Sequence, residues 1–197
     1  MAKLVVFTVA LTEAYLILGL SGLRKEEALA VSPDRIVASA TVNAATGEVE
    51  RTVSVVIDRT YTDDDGLREK TKTEFSARTV PVLVAGRPRL LALLGEARPA
   101  DPGEAAAWAA SRIVPWGGNW FARVWRSELE RAGLRYIPPD MLRHTSETLM
   151  QAARLPDTLV SRLHGHTDLQ TDYRHYLRPG AEQAEDAARA VHRIMGE

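Results

Sequence analysis

The sequence predicts an α+β fold that is mostly helical, and two observations carry this prediction. Apolar residues recur at helical spacing towards both ends of the 197-residue chain, whereas β-branched runs are confined to a middle segment between Ile36 and Val82. The order is therefore helical, then sheet, then helical, which is typical of an α+β domain. With 45% hydrophobic residues the chain can bury one core, so we expect a single domain with a small antiparallel sheet.

The first helical segment, residues 5–31, is expected to form two helices. Ser21 and Gly22 interrupt the apolar pattern and predict a tight turn, after which the second helix starts near Leu23. Arg24 would lie in the first turn of that helix. Arg24 and Glu27 are three residues apart and share one helix face, where a carboxylate can orient a guanidinium. Taken alone, such a pair is also typical of an ordinary surface ion pair.

Three β-branched runs in the middle segment predict a sheet of about three strands. These runs are "RIVASATV", "RTVSVVIDRTY" and "ARTVPV". The polar stretch "KTKTEFS" before the third run predicts a basic hairpin tip that enters a strand at Arg78. A lysine on such a tip could donate a proton to a departing oxygen above a bound phosphate. The alternative is a solvated lysine-rich turn.

From Arg87 onward the pattern is helical, with breaks at proline and glycine. In "PPDMLRHTSETLM" the two prolines and Asp140 predict a helix start, with Asp140 as the N-cap. Arg143 and His144 would then lie in the first turn, where free backbone N–H groups favour an anion and an arginine can bind a phosphate. Alternatively, Arg143 pairs with Glu147 at i+4 and His144 packs in the core.

The stretch "LHGHTDLQTDYRHYL", residues 163–177, contains three of the five histidines and two of the five tyrosines. The break before Asp157 and the glycine at 165 predict a short helix, a His-Gly-His turn, and a second helix that begins near Thr167. Tyr173 and Tyr176 would lie about 60° apart on that helix, so they could not face one target equally well. The close, irregular spacing of the histidines does not favour a zinc site.

Composition excludes several classes of function. The chain has no cysteine, so disulfides, thiolate metal sites and cysteine nucleophiles are excluded. No apolar run reaches the roughly 18 residues of a membrane span, and we expect a cytoplasmic protein. The net charge of −1 argues against nucleic acid wrapped around the whole surface. A local basic face is still expected, because ten arginines and only seven acids lie between Arg112 and Arg178.

In this order, the four motif-bearing segments resemble the catalytic domain of the tyrosine recombinase, or phage integrase, family from about Leu11 to Leu177. The resemblance implies six candidate catalytic residues and two supporting ones: Arg24, Lys72, Asp140, Arg143, His166 and Tyr176, with Glu27 and His144 in support. Tyr176 matches the family's nucleophile because it follows His166 by ten residues. Asp140 departs from the family, which usually has a histidine three residues before the second arginine, so we expect reduced or retuned activity.

The resemblance further implies a site-specific recombinase or integrase of a mobile genetic element. Such an enzyme breaks and rejoins double-stranded DNA through a 3′-phosphotyrosyl intermediate, as a homotetramer on DNA and with no cofactor or metal. We expect one catalytic domain over 1–197, with a leader at 1–10, a tail helix at 179–197 and no N-terminal core-binding domain. Two alternatives stay open: a non-catalytic DNA-binding relative, which Asp140 favours, and a type IB topoisomerase-like enzyme that relaxes DNA without synapsis.

Overall fold

The computed structural model describes residues 2–42, 47–69 and 77–166. Helices flank a small sheet and a separate hairpin in this part of the chain. The helices are α1 (Ala2–Leu20), α2 (Lys25–Ala30), α3 (Arg87–Ala97), α4 (Pro102–Ala110), α5 (Gly118–Arg131), α6 (Met141–Ala152) and α7 (Asp157–His164). The strands are β1 (Ile36–Val42), β2 (Val49–Ile57), β3 (Thr60–Thr62), β4 (Gly66–Arg68) and β5 (Arg78–Pro81). The predicted α+β, mostly helical fold class is confirmed.

The main sheet has the strand order β1–β2–β5, with both pairs antiparallel. Val55 of β2 pairs with Ile36 on one side and with Val80 on the other. Alternate residues of β2 are buried, which gives the sheet one apolar face towards the core. The predicted three-stranded antiparallel sheet is therefore confirmed.

One strand prediction was too long. The run "RTVSVVIDRTY" does not form a single strand, because β2 ends at Ile57 and Thr60–Thr62 pairs instead with Gly66–Arg68 as a separate hairpin. The break falls at Asp58, whose carboxylate accepts from Nε of Arg35 at 3.0 Å. The ion pair joins this break to Arg35, the residue that precedes β1.

The hydrophobic core lies between the inner face of the sheet and helices α1, α2, α5 and α6. Tyr15 of α1 is 1% exposed and its ring centroid is 4.0 Å from that of Phe121 in α5. Trp125 of the same helix packs in this core and donates from Nε1 to the carbonyl of Ile137 at 2.8 Å. That bond fixes the loop that leads into α6, which carries Arg143.

The turn between α1 and α2 forms as predicted. Gly22 has φ = 92°, a left-handed conformation that favours glycine, and Oγ of Ser21 accepts the backbone N–H of Leu83 at 3.0 Å. Helix α2 begins at Lys25, so Arg24 lies at the N-cap position and not in the first turn. Helix α1 begins at Ala2, so residues 2–10, which we expected to be a leader, are helical.

The helix starts after Pro139 and Pro156 also agree with the sequence, as do the short helix α7 and its turn at Gly165. The cap at Asp140 does not agree. Asp140 occupies the N-cap position with helical dihedral angles (φ −63°, ψ −24°), and its side chain makes no capping hydrogen bond. The carboxylate is therefore available to other partners. None of the described helices is long and apolar enough to cross a membrane.

Candidate functional site

The turn at the end of α7 is bound by three arginines from three separate parts of the chain. Each donates to a different carbonyl of consecutive residues: Arg78 to Leu163 at 2.7 Å, Arg143 to His164, and Arg24 to Gly165 at 3.1 Å. The last carbonyls of a helix have no partner within the helix and carry the negative end of its dipole, so cationic donors stabilise them. The arginines thereby fix the backbone that leads directly into His166.

Glu27 is the acidic centre of this arrangement. Its carboxylate accepts from Nη1 and Nη2 of Arg78 at 3.0 and 2.9 Å, and from Nη1 of Arg24 at 3.0 Å. Burial by itself would raise the pKa of Glu27, but the hydrogen bond and charge of Arg78, followed by those of Arg24, lower it below the ordinary value. Glu27 is 3% exposed, so the predicted Arg24–Glu27 pair is confirmed but is not an ordinary surface ion pair.

Arg143 is buried beneath the turn. Its Nη1 donates to the carbonyl of Gly22 at 2.7 Å, and its Nε lies 3.5 Å from Oε1 of Glu147. Burial, and next the positive charge of Arg24, lower the pKa of Arg143 to about 10. The guanidinium therefore stays charged at neutral pH, and its contacts hold it in one orientation.

His166 lies between Arg143 and Glu147. Its Nε2 is 2.7 Å from Nη2 of Arg143 and 3.3 Å from Oε1 of Glu147. In a neutral ring protonated at Nδ1, Nε2 accepts from the guanidinium; once Nε2 carries a proton, it faces the carboxylate. Glu147 is thus part of the site, whereas the sequence indicated it only as an alternative partner for Arg143.

His144, the predicted supporting residue, lies at the edge of this cluster. Its side chain is 52% exposed, and Nδ1 is 3.7 Å from Oε2 of Glu147. The alternative in which His144 packs in the core is therefore wrong. The alternative in which Arg143 pairs with Glu147 is confirmed, and that pairing coexists with the contacts of Arg143 to the turn.

His164 is fully buried behind the site. Nδ1 donates to the carbonyl of Val160 at 2.9 Å, and Nε2 has no hydrogen-bond partner among the described residues. Burial lowers its pKa to about 4, so the ring is neutral at physiological pH. Its Nε2 would lie 2.7 Å from a Cβ added at Gly22, so a side chain at that position would collide with the ring.

Asp140 stands apart from the buried contacts of Arg143. Its side chain is 60% exposed, and Oδ2 lies 4.0 Å from Nζ of Lys25. The remaining two predicted catalytic residues, Lys72 and Tyr176, lie outside the described residues, as do Tyr173 and His175. Within residues 2–42, 47–69 and 77–166, no group of three histidine or acidic side chains is arranged to hold a metal ion.

The electrostatics of the described site favour an anion. Arg24, Arg78 and Arg143 outnumber Glu27 and Glu147 by one charge. The side chain of Arg24 is 39% exposed, and its contacts with described residues use two of the five N–H donors of a guanidinium. The other three can meet a bound group. Arg24, Arg143 and His166 together could therefore bind the oxygens of a phosphate.

Known structures share this fold. The integrase of the Tn1549 transposon in complex with transposon right end DNA has a TM-score of 0.60 and 15% sequence identity, over 91% of this chain and 58% of that one. The same integrase with circular intermediate DNA has a TM-score of 0.59 and 16% identity, over 96% and 65% of the two chains. The XerH site-specific recombinase bound to its difH substrate has a TM-score of 0.53 and 19% identity, over 92% and 46%.

The fold is therefore that of the tyrosine recombinase and integrase catalytic domains. The chain spans about 58% of the length of the first two structures that it matches. No protein-family model matches the sequence, and no curated protein has significant sequence similarity to it. At these identities, the structures establish a common fold, and the arginine-bound turn described above carries the argument for function.

Proposed function

We propose that this chain is the catalytic domain of a site-specific DNA recombinase that breaks and rejoins strands through a 3′-phosphotyrosyl intermediate. One observation carries the proposal: Arg24, Arg143 and His166 meet at a single turn, although Arg24 and the Gly165 that it contacts are 141 residues apart. Two guanidinium groups and an imidazole converging in this way form a site for a phosphodiester. The DNA complexes of the Tn1549 integrase and XerH, which share the fold, support this choice of substrate.

Arg24 and Arg143 have the role of binding the non-bridging oxygens of the scissile phosphate. Their charges offset the negative charge that develops in the transition state, and their contacts with Glu27 and the turn mean that little reorganisation is needed when the substrate arrives. His166 adds a further hydrogen bond to the same phosphate. Because Arg143 is held by backbone carbonyls on both Nη atoms, its orientation is set before DNA binds.

Tyr176 is the proposed nucleophile and Lys72 the proposed general acid. The tyrosine oxygen attacks phosphorus, a new P–O bond to tyrosine forms, and the P–O5′ bond breaks. The tyrosine proton passes to a base, and Lys72 protonates the leaving 5′-oxygen. A 5′-hydroxyl from a second strand then attacks the phosphotyrosine and releases Tyr176, so the strands rejoin without ATP or a metal ion.

Asp140 is the residue that decides how active the enzyme is. As an ionised carboxylate it can accept the tyrosine proton but cannot donate to the phosphate. Its negative charge would also repel the phosphate, by about 1 kcal/mol because the exposed side chain is screened by solvent. The 4.0 Å contact with Lys25 offsets part of that charge, so we propose reduced activity and not its loss.

A non-catalytic DNA-binding relative is the second candidate, and the exposed carboxylate at position 140 is the observation that favours it. Both candidates bind double-stranded DNA, and strand exchange additionally requires synapsis, for which we propose a homotetramer. A topoisomerase-like enzyme would instead relax a supercoiled plasmid that carries no partner site. Relaxation by the purified protein, without recombinant products, would favour that third reading.

Covalent trapping distinguishes these candidates. A pool of random-sequence duplexes with 5′-bridging phosphorothiolate linkages is incubated with the protein, because a sulfur leaving group prevents religation. Covalent complexes are recovered by precipitation with dodecyl sulfate and potassium and then sequenced. We expect adducts from the wild-type protein and none from Arg143→Ala. Salt-dependent DNA binding by the wild-type protein without any adduct would identify the non-catalytic relative.

A further inference from the structure

We propose that Arg78, at the start of β5, is a positioning residue that aligns Arg24 and the His166 turn for the reaction. This inference rests on the proposed function and adds a residue that the sequence did not indicate. The side chain of Arg78 is 7% exposed, and all three nitrogens of its guanidinium donate to Glu27 or to the carbonyl of Leu163. It acts on the phosphate-binding groups through Glu27 and through the backbone of the turn.

The first contact is with Glu27. Arg78 donates to both carboxylate oxygens, at 3.0 and 2.9 Å, so the carboxylate plane is fixed by a two-point contact. Oε1 of the same carboxylate accepts from Arg24, and Oε2 accepts the backbone N–H of Arg24 at 2.8 Å. The orientation of Arg24 therefore depends on a carboxylate whose own orientation Arg78 sets.

The second contact is with the turn. Nε of Arg78 donates to the carbonyl of Leu163 at 2.7 Å, across 85 residues of sequence. The guanidinium also packs under Gly165, where an added Cβ would lie 2.7 Å from Nη1. Gly165 has φ = 63° and ends helix α7, so its conformation sets the direction of the chain at His166.

The position of Arg78 along the chain adds a third connection. It is the first residue of β5 and pairs with Ile57 of β2, and it follows the segment that carries the proposed general acid by only a few residues. The guanidinium of Arg78 thus connects strand β5 to helix α2, which follows Arg24, and to the turn before His166. A lysine at this position would keep the charge but could not form the two-point contact and the Leu163 contact together.

The test compares Arg78→Ala and Arg78→Lys with Arg89→Ala. Arg89 is a matched control because it is an exposed arginine whose Nε donates to Glu13 at 2.8 Å, away from the site. The substrate is the best duplex recovered from the phosphorothiolate pool. The rate constant of adduct formation at saturating DNA and the half-saturating DNA concentration are measured separately, and circular dichroism confirms that each variant is folded.

We expect Arg78→Ala and Arg78→Lys to form adduct about 100-fold more slowly at saturating DNA, since a misplacement of about 1 Å can cost that much. The half-saturating concentration should stay within about 3-fold of wild type, because Arg78 does not contact the substrate. A merely structural role would lower the amount of active protein and leave the rate constant of the folded fraction unchanged. If Arg78→Lys is folded and its rate constant of adduct formation equals that of wild type, the proposal is overturned. This test does not require Arg78→Ala to fold.

Amide hydrogen exchange at the turn tests the role of Arg78 without DNA, and so independently of the proposed function. The amides of Gly165 and His166 are hydrogen-bonded within the turn, to the carbonyls of Arg162 and Ser161. We expect them to exchange at least about 10-fold faster in Arg78→Lys than in Arg89→Ala, with the amides of α3 as an internal reference. If wild-type protein forms no adduct, the proposed function fails. If the exchange rates of these two amides are the same in Arg78→Lys and Arg89→Ala, the role of Arg78 fails, whatever the outcome of the adduct assay.

Discussion

Nη2 of Arg143 lies 2.7 Å from Nε2 of His166, although 23 residues separate the two in sequence. Since Arg143 keeps its charge at neutral pH, the contact requires Nε2 of His166 to act as the acceptor, with the ring proton on Nδ1. A phosphate bound between the two groups would compete with His166 for the donors of this guanidinium.

The stability of the protein should depend on His164 between pH 7.5 and 4.5. The pKa of His164 is about 4 in the folded state and about 6.5 when unfolded, so as pH falls through this window the unfolded chain takes up a proton that the folded one does not. The free energy of unfolding should fall by about 3 kcal/mol from this group. Urea titrations of wild type and His164→Leu at pH 7.5 and 4.5 measure the free energy of unfolding. The fall in this free energy between the two pH values should be smaller in the variant by the contribution of His164. Equal losses in the two proteins would show that His164 is not held neutral.

Replacing Gly22 by alanine should destabilise the fold more than the same change at Gly133. Both glycines have positive φ, 92° and 67°, so each substitution strains the backbone by about 1–2 kcal/mol. At Gly22 the added Cβ would also lie 2.7 Å from Nε2 of His164, whereas at Gly133 no atom lies within 4 Å. We expect an extra loss of about 1–3 kcal/mol at Gly22, from overpacking. Denaturant midpoints of the two variants give this difference, and equal midpoints would contradict the packing described for His164.

Removing the charge of Asp140 should raise the rate of adduct formation. Asp140→Asn eliminates the repulsion of the scissile phosphate, which the exposure of the side chain reduces to about 1 kcal/mol, or about 5-fold in rate. The rate constant is measured at saturating DNA, with Asp65→Asn on the β3–β4 hairpin as a control for the loss of an exposed carboxylate. A decrease of more than about 10-fold in Asp140→Asn would instead identify Asp140 as the base for the nucleophile.

The sequence predicted those parts of the site that depend on local pattern. The turn at Gly22, the helix starts before Arg143 and Asp157, and the pairing of Arg24 with Glu27 follow from glycine, proline and i+3 spacing, and the structure confirms them. Local pattern was not sufficient to predict the side chain of Asp140, which makes no capping hydrogen bond. A carboxylate at a helix start can cap the helix or pair with a cation. The carboxylate of Asp140 lies 4.0 Å from Nζ of Lys25, which belongs to a helix more than 100 residues earlier in the sequence.

Arg78 and Glu147 could not be assigned to the site from sequence, for a different reason. An arginine at the start of a strand and an acid at i+4 from an arginine are both common on surfaces. Their roles arise from burial and from contacts across the fold, such as the one between Arg78 and Leu163 over 85 residues. The end of β2 at Ile57 could not be predicted either, because the β-branched run continues past it into Thr60–Thr62, which pairs instead with Gly66–Arg68.

The identity of the residue that becomes linked to DNA tests the central claim most directly. Adduct from the phosphorothiolate pool is digested with protease and nuclease, and the modified peptide is sequenced by mass spectrometry, for wild type, Tyr173→Phe and Tyr176→Phe. We predict a nucleotide on Tyr176 in wild type and in Tyr173→Phe, and no adduct from Tyr176→Phe. Adduct formation by Tyr176→Phe, or a nucleotide attached to any other residue, would contradict the account.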